Sequence, residues 1–357
     1  MSPRARARWI GAVFLSAAAG CGGDDSGGRE IEQTVLGCDP AATGWTVWAP
    51  NQGIERDSVF VLRPTEDATG AVGAEILAEI PAGRSPHNIG FTPDGRRAYV
   101  ANLTDPQRNG TVSVIDTRTY DLVATVEAGV MPHWAAVTPD GRFAWVANVG
   151  AREVTIVDTG TNQVVGSVET GQDPAQIEFA PDGAKAWVSN GEEGTVAVVD
   201  VAARQVVTTV RTGHGSMGLE LSNDGRFLFE TEPRDDRVSV IDAATDTIID
   251  VLTFGGTLLE PHGIGVAGGE VLVTNATADS LAFVDSRTFE RVASVAVPGR
   301  PQAVAVSPDC RRAYLTMQDA AAIAVVDVTE RRLIGTIDMG IGNVHGIAVL
   351  PGPEAGD

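Results

Sequence analysis

The chain has 357 residues, of which 43% are hydrophobic and 20% charged, and its formal net charge is −21. That balance suits a folded globular protein and excludes a disordered one. So acidic a surface repels phosphate backbones and argues against nucleic-acid partners. Forty-one glycines and nineteen prolines, spaced along the chain, are too many for a helical enzyme.

The first twenty residues read as a leader. "MSPRARAR" is a positive n-region and "WIGAVFLSAAAG" a short apolar run, too short to span a bilayer comfortably as a mature helix. "AAGC" then places Cys21 at the cut. This stretch resembles a bacterial lipoprotein signal, which implies that Cys21 is lipid-modified and becomes the new N-terminus; Ala18 stands where such signals usually carry leucine. An ordinary secretory signal is the alternative, and both readings export the protein. Position 22 is not Asp, which by the same resemblance implies an outer-membrane anchor facing the periplasm or the cell surface. Losing Arg4, Arg6 and Arg8 with the leader takes the charge from −21 to −24. "GGDDSGG" follows as a flexible polar tether, so residues 21–44 are expected to hold the folded part away from a membrane. Cys38 and Cys310 are then the remaining cysteines, a disulfide candidate in an oxidising compartment.

From residue 45 onward the chain repeats. Runs ending in Asp recur as "TVSVID", "EVTIVD", "TVAVVD", "RVSVID", "SLAFVD" and "AIAVVD", at Asp116, Asp158, Asp200, Asp242, Asp285 and Asp327. Turn-type Asp-Gly or Asp-Cys pairs keep step at Asp94, Asp140, Asp182, Asp224 and Asp309. A period of ~42 residues with four short strands per unit predicts the blades of a β-propeller. In the first unit "HNIGF" fits the innermost strand A, "RAYVAN" strand B, "TVSVID" strand C and "LVATVEAG" strand D. "PDGR" turns A into B, with Pro fixing φ and Gly supplying a positive one. Complete units start near Ser85, Met131, Asp173, Gly215, Glu260 and Arg300. The C-terminal "VHGIAVLPG" is a lone strand A. The N-terminal "WTVWAPN", "SVFVLR" and "EILAEI" supply strands B, C and D, although Pro50 interrupts the first. The expectation is an all-β, seven-bladed propeller over residues 45–351, closed by both chain ends in one blade so that no edge stays open. Residues 352–357 read as a disordered tail.

"PxxIxFTPDGxxAYVAN", "AWVAN", "AWVSN" and "VSVIDT" resemble the YVTN β-propeller repeat family, including YncE-like exported proteins. The pattern weakens at "FLFETE", in the fifth unit, which lacks Pro-Asp-Gly, and at "AYLTM". The resemblance implies an exported binding protein, mostly without known chemistry; more distant seven-bladed relatives include lactonases and a copper-binding propeller. In this layout Cys310 replaces the turn glycine of blade 6, and Cys38 precedes strand B of blade 7. Both fall on the bottom face, one blade apart, and are expected to be bonded.

Four of the five histidines occupy one repeat position. Pairing strands A and B about the turn sets His87 opposite Asn102, His133 opposite Asn148, Ala175 opposite Asn190, Met217 opposite Glu232 and Gln302 opposite Met317, with His262 near Asn275. The ring at the channel top reads His87, His133, Ala175, Met217, His262, Gln302, His345. His345, His87 and His133 form a continuous arc, expected to face Met217, Glu232 and Met317. Imidazole with thioether suits copper, and imidazole with carboxylate suits zinc or iron; structural capping of loops is the alternative. Glu178 and Glu220 stand three residues beyond the ring position, where other blades carry Gly or Ala, and imply room or a partner such as Arg84 or Arg300. No Gly-x-Ser-x-Gly elbow, phosphate loop, HExxH or CxxC occurs. The primary reading is therefore a monomeric, non-catalytic propeller that binds a ligand or protein at its top face and channel. A metal-binding propeller centred on His87, His133 and His345, and a lactonase-like hydrolase, are the alternatives. The polar insertion at residues 104–110 lengthens the top face of blade 1.

Overall fold

The computed structural model describes residues 38–52, 57–104, 108–255, 259–340 and 343–352. The leader, Cys21, most of the tether, residues 353–357 and part of the 104–110 insertion lie outside the described residues. Seven antiparallel sheets surround one axis. Blade 1 shows the plan: Pro86–Phe91 (strand A), Arg97–Asn102 (B), Asn109–Asp116 (C) and Leu122–Val130 (D). Strand A of blades 2 to 6 is Pro132–Val137, Pro174–Phe179, Leu219–Leu221, Pro261–Ala267 and Pro301–Val306. One 3₁₀ turn, Pro233–Asp235, is the helical element among the described residues.

Blade 7 closes the ring from both ends of the chain. Trp45–Gln52 is its strand B, followed by Ser58–Glu66 and Val72–Pro81. The C-terminal strand A is split into Asn343–Val344 and Ala348–Pro351, and both pieces pair with Trp45–Gln52. The break lies beside Ala49 and Pro50, which have no ladder partner on that side, so the proline sits where the inner ladder is already interrupted.

The repeated residues have local causes. In the A–B turn of blade 1, Thr92 Oγ and the Arg96 amide both donate to Asp94 Oδ1, and Gly95 adopts φ +65°. At the C–D turns the strand-end Asp accepts from the amides that follow it: Arg118 and Thr119 for Asp116, Thr245 for Asp242, Thr288 for Asp285. Those amides hold Asp242 and Asp285 below the usual carboxylate range.

The core is divided by blade interface. Each of seven apolar clusters joins two neighbouring blades, as in the set built by Tyr99, Val112 and Val114 of blade 1 with Ala135, Val137 and Val146 of blade 2. Strand B supplies a large wedge to the interfaces: Trp48, Tyr99, Trp145, Trp187, Phe229, Leu272 and Tyr314, all nearly or wholly buried. Opposite each stands strand A's third residue beyond the ring position, for example Gly90 facing Tyr99 and Ala136 facing Trp145. A Cβ on Gly90 would approach the Ala135 carbonyl to 2.4 Å, so small residues there let inner strands meet.

Residues 38–44, assigned to the tether from the sequence, are instead anchored under the ring. Cys38 is bonded to Cys310, with Cα atoms 5.3 Å apart, and the Asp39 amide donates to the Pro308 carbonyl. Cys310 takes the turn position with φ +57°, as glycine does in blades 1 to 5. The bond closes a loop of 272 residues around the propeller. Replacing both cysteines by alanine is expected to cost about 2–4 kcal/mol. Thermal denaturation with and without reductant checks this: the wild type should melt lower when reduced, and the double variant should not respond.

Candidate functional site

The upper channel is built by a bulge that the hairpin arithmetic did not anticipate. The A–B register is Pro86↔Asn102, then Asn88↔Ala101, leaving His87 as the extra residue. The same slip leaves His133 between Pro132↔Asn148 and Trp134↔Ala147. In blades 3, 5 and 6, Asn190, Asn275 and Met317 pair with Pro174, Pro261 and Pro301, not with the ring residues. Bulging frees the ring residue from the ladder and re-aims it. The residue before each of these prolines, including Ser85, Met131 and Glu260, holds a positive φ that delivers the chain into the bulge.

Strand B ends point into their own blades, which removes two expected members of the site. Asn102 donates to Thr111 and Ser113, and Asn148 to Thr155. Glu232 occupies the equivalent place in blade 4, is wholly buried, and is held by Arg237 and Ser239 of strand C. Met317 packs in the core between blades 5 and 6 against Gly299. Neither faces the histidines. Met217 is half-buried and outside the short strand A of blade 4; its carbonyl accepts from Ser189 Oγ at 2.9 Å.

Backbone carbonyls of the ring account for one of the four histidines. In blades 3 to 6 the next-to-last residue of strand B is Ser189, Thr231, Thr274 or Thr316. Each hydroxyl donates to the ring carbonyl of the following blade: Met217, His262, Gln302 and His345, at 2.6–2.9 Å. In blade 2 that residue is Ala147, and His133 does the work, its Nδ1 lying 2.9 Å from the Ala175 carbonyl. Blades 1 and 7, with Ala101 and Pro50, also lack a hydroxyl, but there His87 Nδ1 is buried without a hydrogen-bond partner and His345 Nε2 bonds Asn343 instead. A carbonyl only accepts, so Nδ1 of His133 bears the proton.

His87 lies between His133 and His345, with ring centroids 4.0 Å and 5.1 Å away and planes tilted by 35° and 34°. Burial pushes His133 and His262 down to about 4 and His87 well below the ordinary value, with the neighbouring imidazoles adding to the effect on His87. His345 is lowered for the same reason. All four are neutral at pH 7. Among the described residues no group of three or more His, Cys, Asp and Glu side chains is arranged to hold a metal ion. The expected copper or other transition-metal centre at His87, His133 and His345 does not fit this donor geometry.

The lower channel is different. A cavity of about 780 Å³ opens there, lined by strand A residues and A–B turns that include Phe91, Trp134, Ile177, Phe179, Leu221 and Val349. Glu178 and Glu220 reach it from adjacent blades, where the other blades offer Gly90, Ala136, Gly265, Ala305 and Ala348. Burial raises Glu220 to about 8 and lifts Glu178 well above the carboxylate range, with the Glu220 charge adding to the shift of Glu178. The arginines expected to neutralise them do not: Arg300 is paired with Glu260 at 2.9 Å on the top face, and Arg84 is exposed there. Sequence reasoning missed one further acid, Glu230, which is wholly buried, with Oε1 bonded by Thr212 and Ser216 and Oε2 without a partner. Burial pushes it up to about 8. The departure of "FLFETE" from the repeat was its signal.

Comparison with known proteins bears on the fold. Residues 262–352 match the family described as YNCE-like beta-propeller, and residues 145–258 match the Cytochrome D1 heme domain. No curated protein matches the chain. Among solved structures it is similar to the periplasmic gluconolactonase PpgL of Pseudomonas aeruginosa, at 19% identity and TM-score 0.74, over 87% of this chain and 100% of that one. It is also similar to the hydrazine synthase of Kuenenia stuttgartiensis, at 19% identity and TM-score 0.64, over 74% and 89%. With the seven four-stranded blades, the family match supports a YncE-like propeller.

Two pH effects follow. The histidines have folded-state values below the unfolded one, so their contribution is complete above pH 6.5 and is lost as pH falls toward about 4. His133→Ala should cost about 1 kcal/mol through the lost carbonyl bond and flatten that acid limb in denaturation curves. Elemental analysis of the wild type and of His87→Ala/His133→Ala should find no stoichiometric metal in either. The glutamates shift the opposite way: the unfolded chain ionises first, so the fold loses stability as pH rises from 4.5 to about 8. Glu178→Gln/Glu220→Gln should exceed the wild type in stability by on the order of a few kcal/mol at pH 8 and by little at pH 5, with Glu230 leaving some slope in both.

Proposed function

We propose that the protein is an exported, membrane-tethered β-propeller that binds a small ligand in its axial channel and performs no chemistry on it. The observation that carries this reading is the lower cavity: concave, about 780 Å³, with a mixed apolar and polar wall and two carboxyl groups converging from adjacent blades. Aromatic and aliphatic side chains interrupted by placed polar groups are what small-molecule sites share. The leader and Cys21 support the tethered location, and the rigid ring supports a preformed site. The cavity lining contains no arginine, lysine or histidine to polarise a carbonyl, which ranks binding above catalysis.

A lactonase-like hydrolase is the second reading. The specific observation in its favour is Glu220, a carboxyl held at about 8 beside a cavity, the condition in which a glutamate can both give and take a proton near neutral pH. The fold it shares with a gluconolactonase is consistent with this but carries no residue assignment.

Filling the cavity separates these readings from a passive scaffold. Leu350 lines the channel from blade 7, and Leu350→Trp should occupy the space while leaving the blade pairing intact by circular dichroism. Native mass spectrometry against a small-molecule library should show ligands retained by the wild type and lost in the variant. Equal retention by both would place binding elsewhere, and turnover of lactones by the wild type would promote the second reading.

A further inference from the structure

The lower cavity has walls of one electrical sign. Its charged lining residues are Glu178, Glu220 and Asp224, with no basic side chain. Asp224 is occupied locally, accepting from Ser222 Oγ and the Arg226 amide. Among the described residues Glu178 and Glu220 have no such support: burial and mutual repulsion act on them, and neither a hydrogen bond nor an opposite charge there offsets those effects. A carboxyl group in that position either keeps its proton or holds a cation.

The rest of the wall selects among cations. Calcium takes six to eight oxygen ligands, and magnesium demands near-ideal octahedral oxygen coordination; beyond the two free carboxylates, the polar side chains of this lining, Thr92, Gln176, Asn223 and Asp224, are each already hydrogen-bonded within the protein. Phe91, Trp134 and Phe179 border the same space, and aromatic faces attract ammonium groups through the ring quadrupole. The chain's charge of −21 draws cations toward the channel mouths.

We infer that the cavity binds an organic ammonium ion, with Glu178 and Glu220 as counter-ions and the aromatic and aliphatic wall enclosing its carbon frame. The inference rests on the binding reading above and names its ligand class. Entry of the cation replaces a proton: a neutral carboxyl releases H⁺ to solvent and the resulting carboxylate pairs with the ammonium. Charge and atoms balance without another reactant. The other charged group on the lining, Asp224, is already held by its own turn and does not join the exchange.

The test uses the folded chain with its disulfide intact. Putrescine and benzyltrimethylammonium are titrated calorimetrically at pH 7.5 in two buffers of different ionisation enthalpy, beside Mg²⁺, Ca²⁺ and neutral polyols. Saturable binding of an ammonium probe is expected, with proton release visible as buffer-dependent heat. Affinity should fall about tenfold or more in Glu178→Gln/Glu220→Gln, a loss typical of removing a charged partner. Trp134→Leu should weaken benzyltrimethylammonium while leaving the glutamate pH effect in place. Binding of divalent metal with the same glutamate dependence, and none of ammonium, overturns the inference in favour of a metal site. Binding of neutral polyols alone, unchanged in the glutamate variant, overturns it while the channel reading stands. No binding of any probe, together with no library ligand lost in Leu350→Trp, sinks both.

Discussion

Every blade of this propeller must bury two faces at once, and its neighbours are the only surfaces available to do it. The apolar clusters therefore lie between blades rather than within them, and each depends on the ring being closed. Closure rests on one sheet, in which strand A comes from the C-terminus and strands B to D from the N-terminus. The Cys38–Cys310 bond fixes the segment entering that blade to its neighbour. Burial of apolar area at about 25 cal/mol/Å² makes such interfaces the dominant stabilising contribution, so opening one interface exposes both faces that formed it.

The same constraint defines what can face the axis. Inner strands approach closely only where the third residue beyond the ring position is small, and five blades obey. Blades 3 and 4 place glutamates there, and strand A of blade 4 is reduced to Leu219–Leu221. The cavity is thus a local relaxation of the packing rule that holds elsewhere. A carboxyl group at such a position lowers the stability of the fold at neutral pH, and a site is the ordinary reason for keeping an unfavourable group in a rigid scaffold.

At the opposite mouth, the repeated Pro-His answers a different need. Each blade must satisfy the ring carbonyl of the next, and serine or threonine on strand B does so in blades 3 to 6. In blade 2, where strand B offers alanine, imidazole takes over. Neutral, stacked and partly committed to backbone, the arc is better suited to holding the ring together than to gathering a metal. His262 lies outside this complementarity, since Thr231 serves its carbonyl and Thr274 stands on its own strand B.

The strand period, the turn residues and the Asp that ends each strand C are local features, and the sequence by itself determined the seven blades, their four strands, the split closure and the cysteine pair. It also singled out Glu178 and Glu220, because a departure from a repeat can be read without coordinates. The tertiary structure alone decided where side chains point. One bulged residue beside each of five prolines shifted the A–B register and freed the ring residues from the ladder, while the strand B ends Glu232 and Met317 turned into the blades and away from the histidines. A bulge leaves the hydrophobic period on either side unchanged, so nothing in the pattern announces it. That no arginine among the described residues lies beside the glutamates was likewise set by how seven blades assemble rather than by the residues that neighbour one another along the chain.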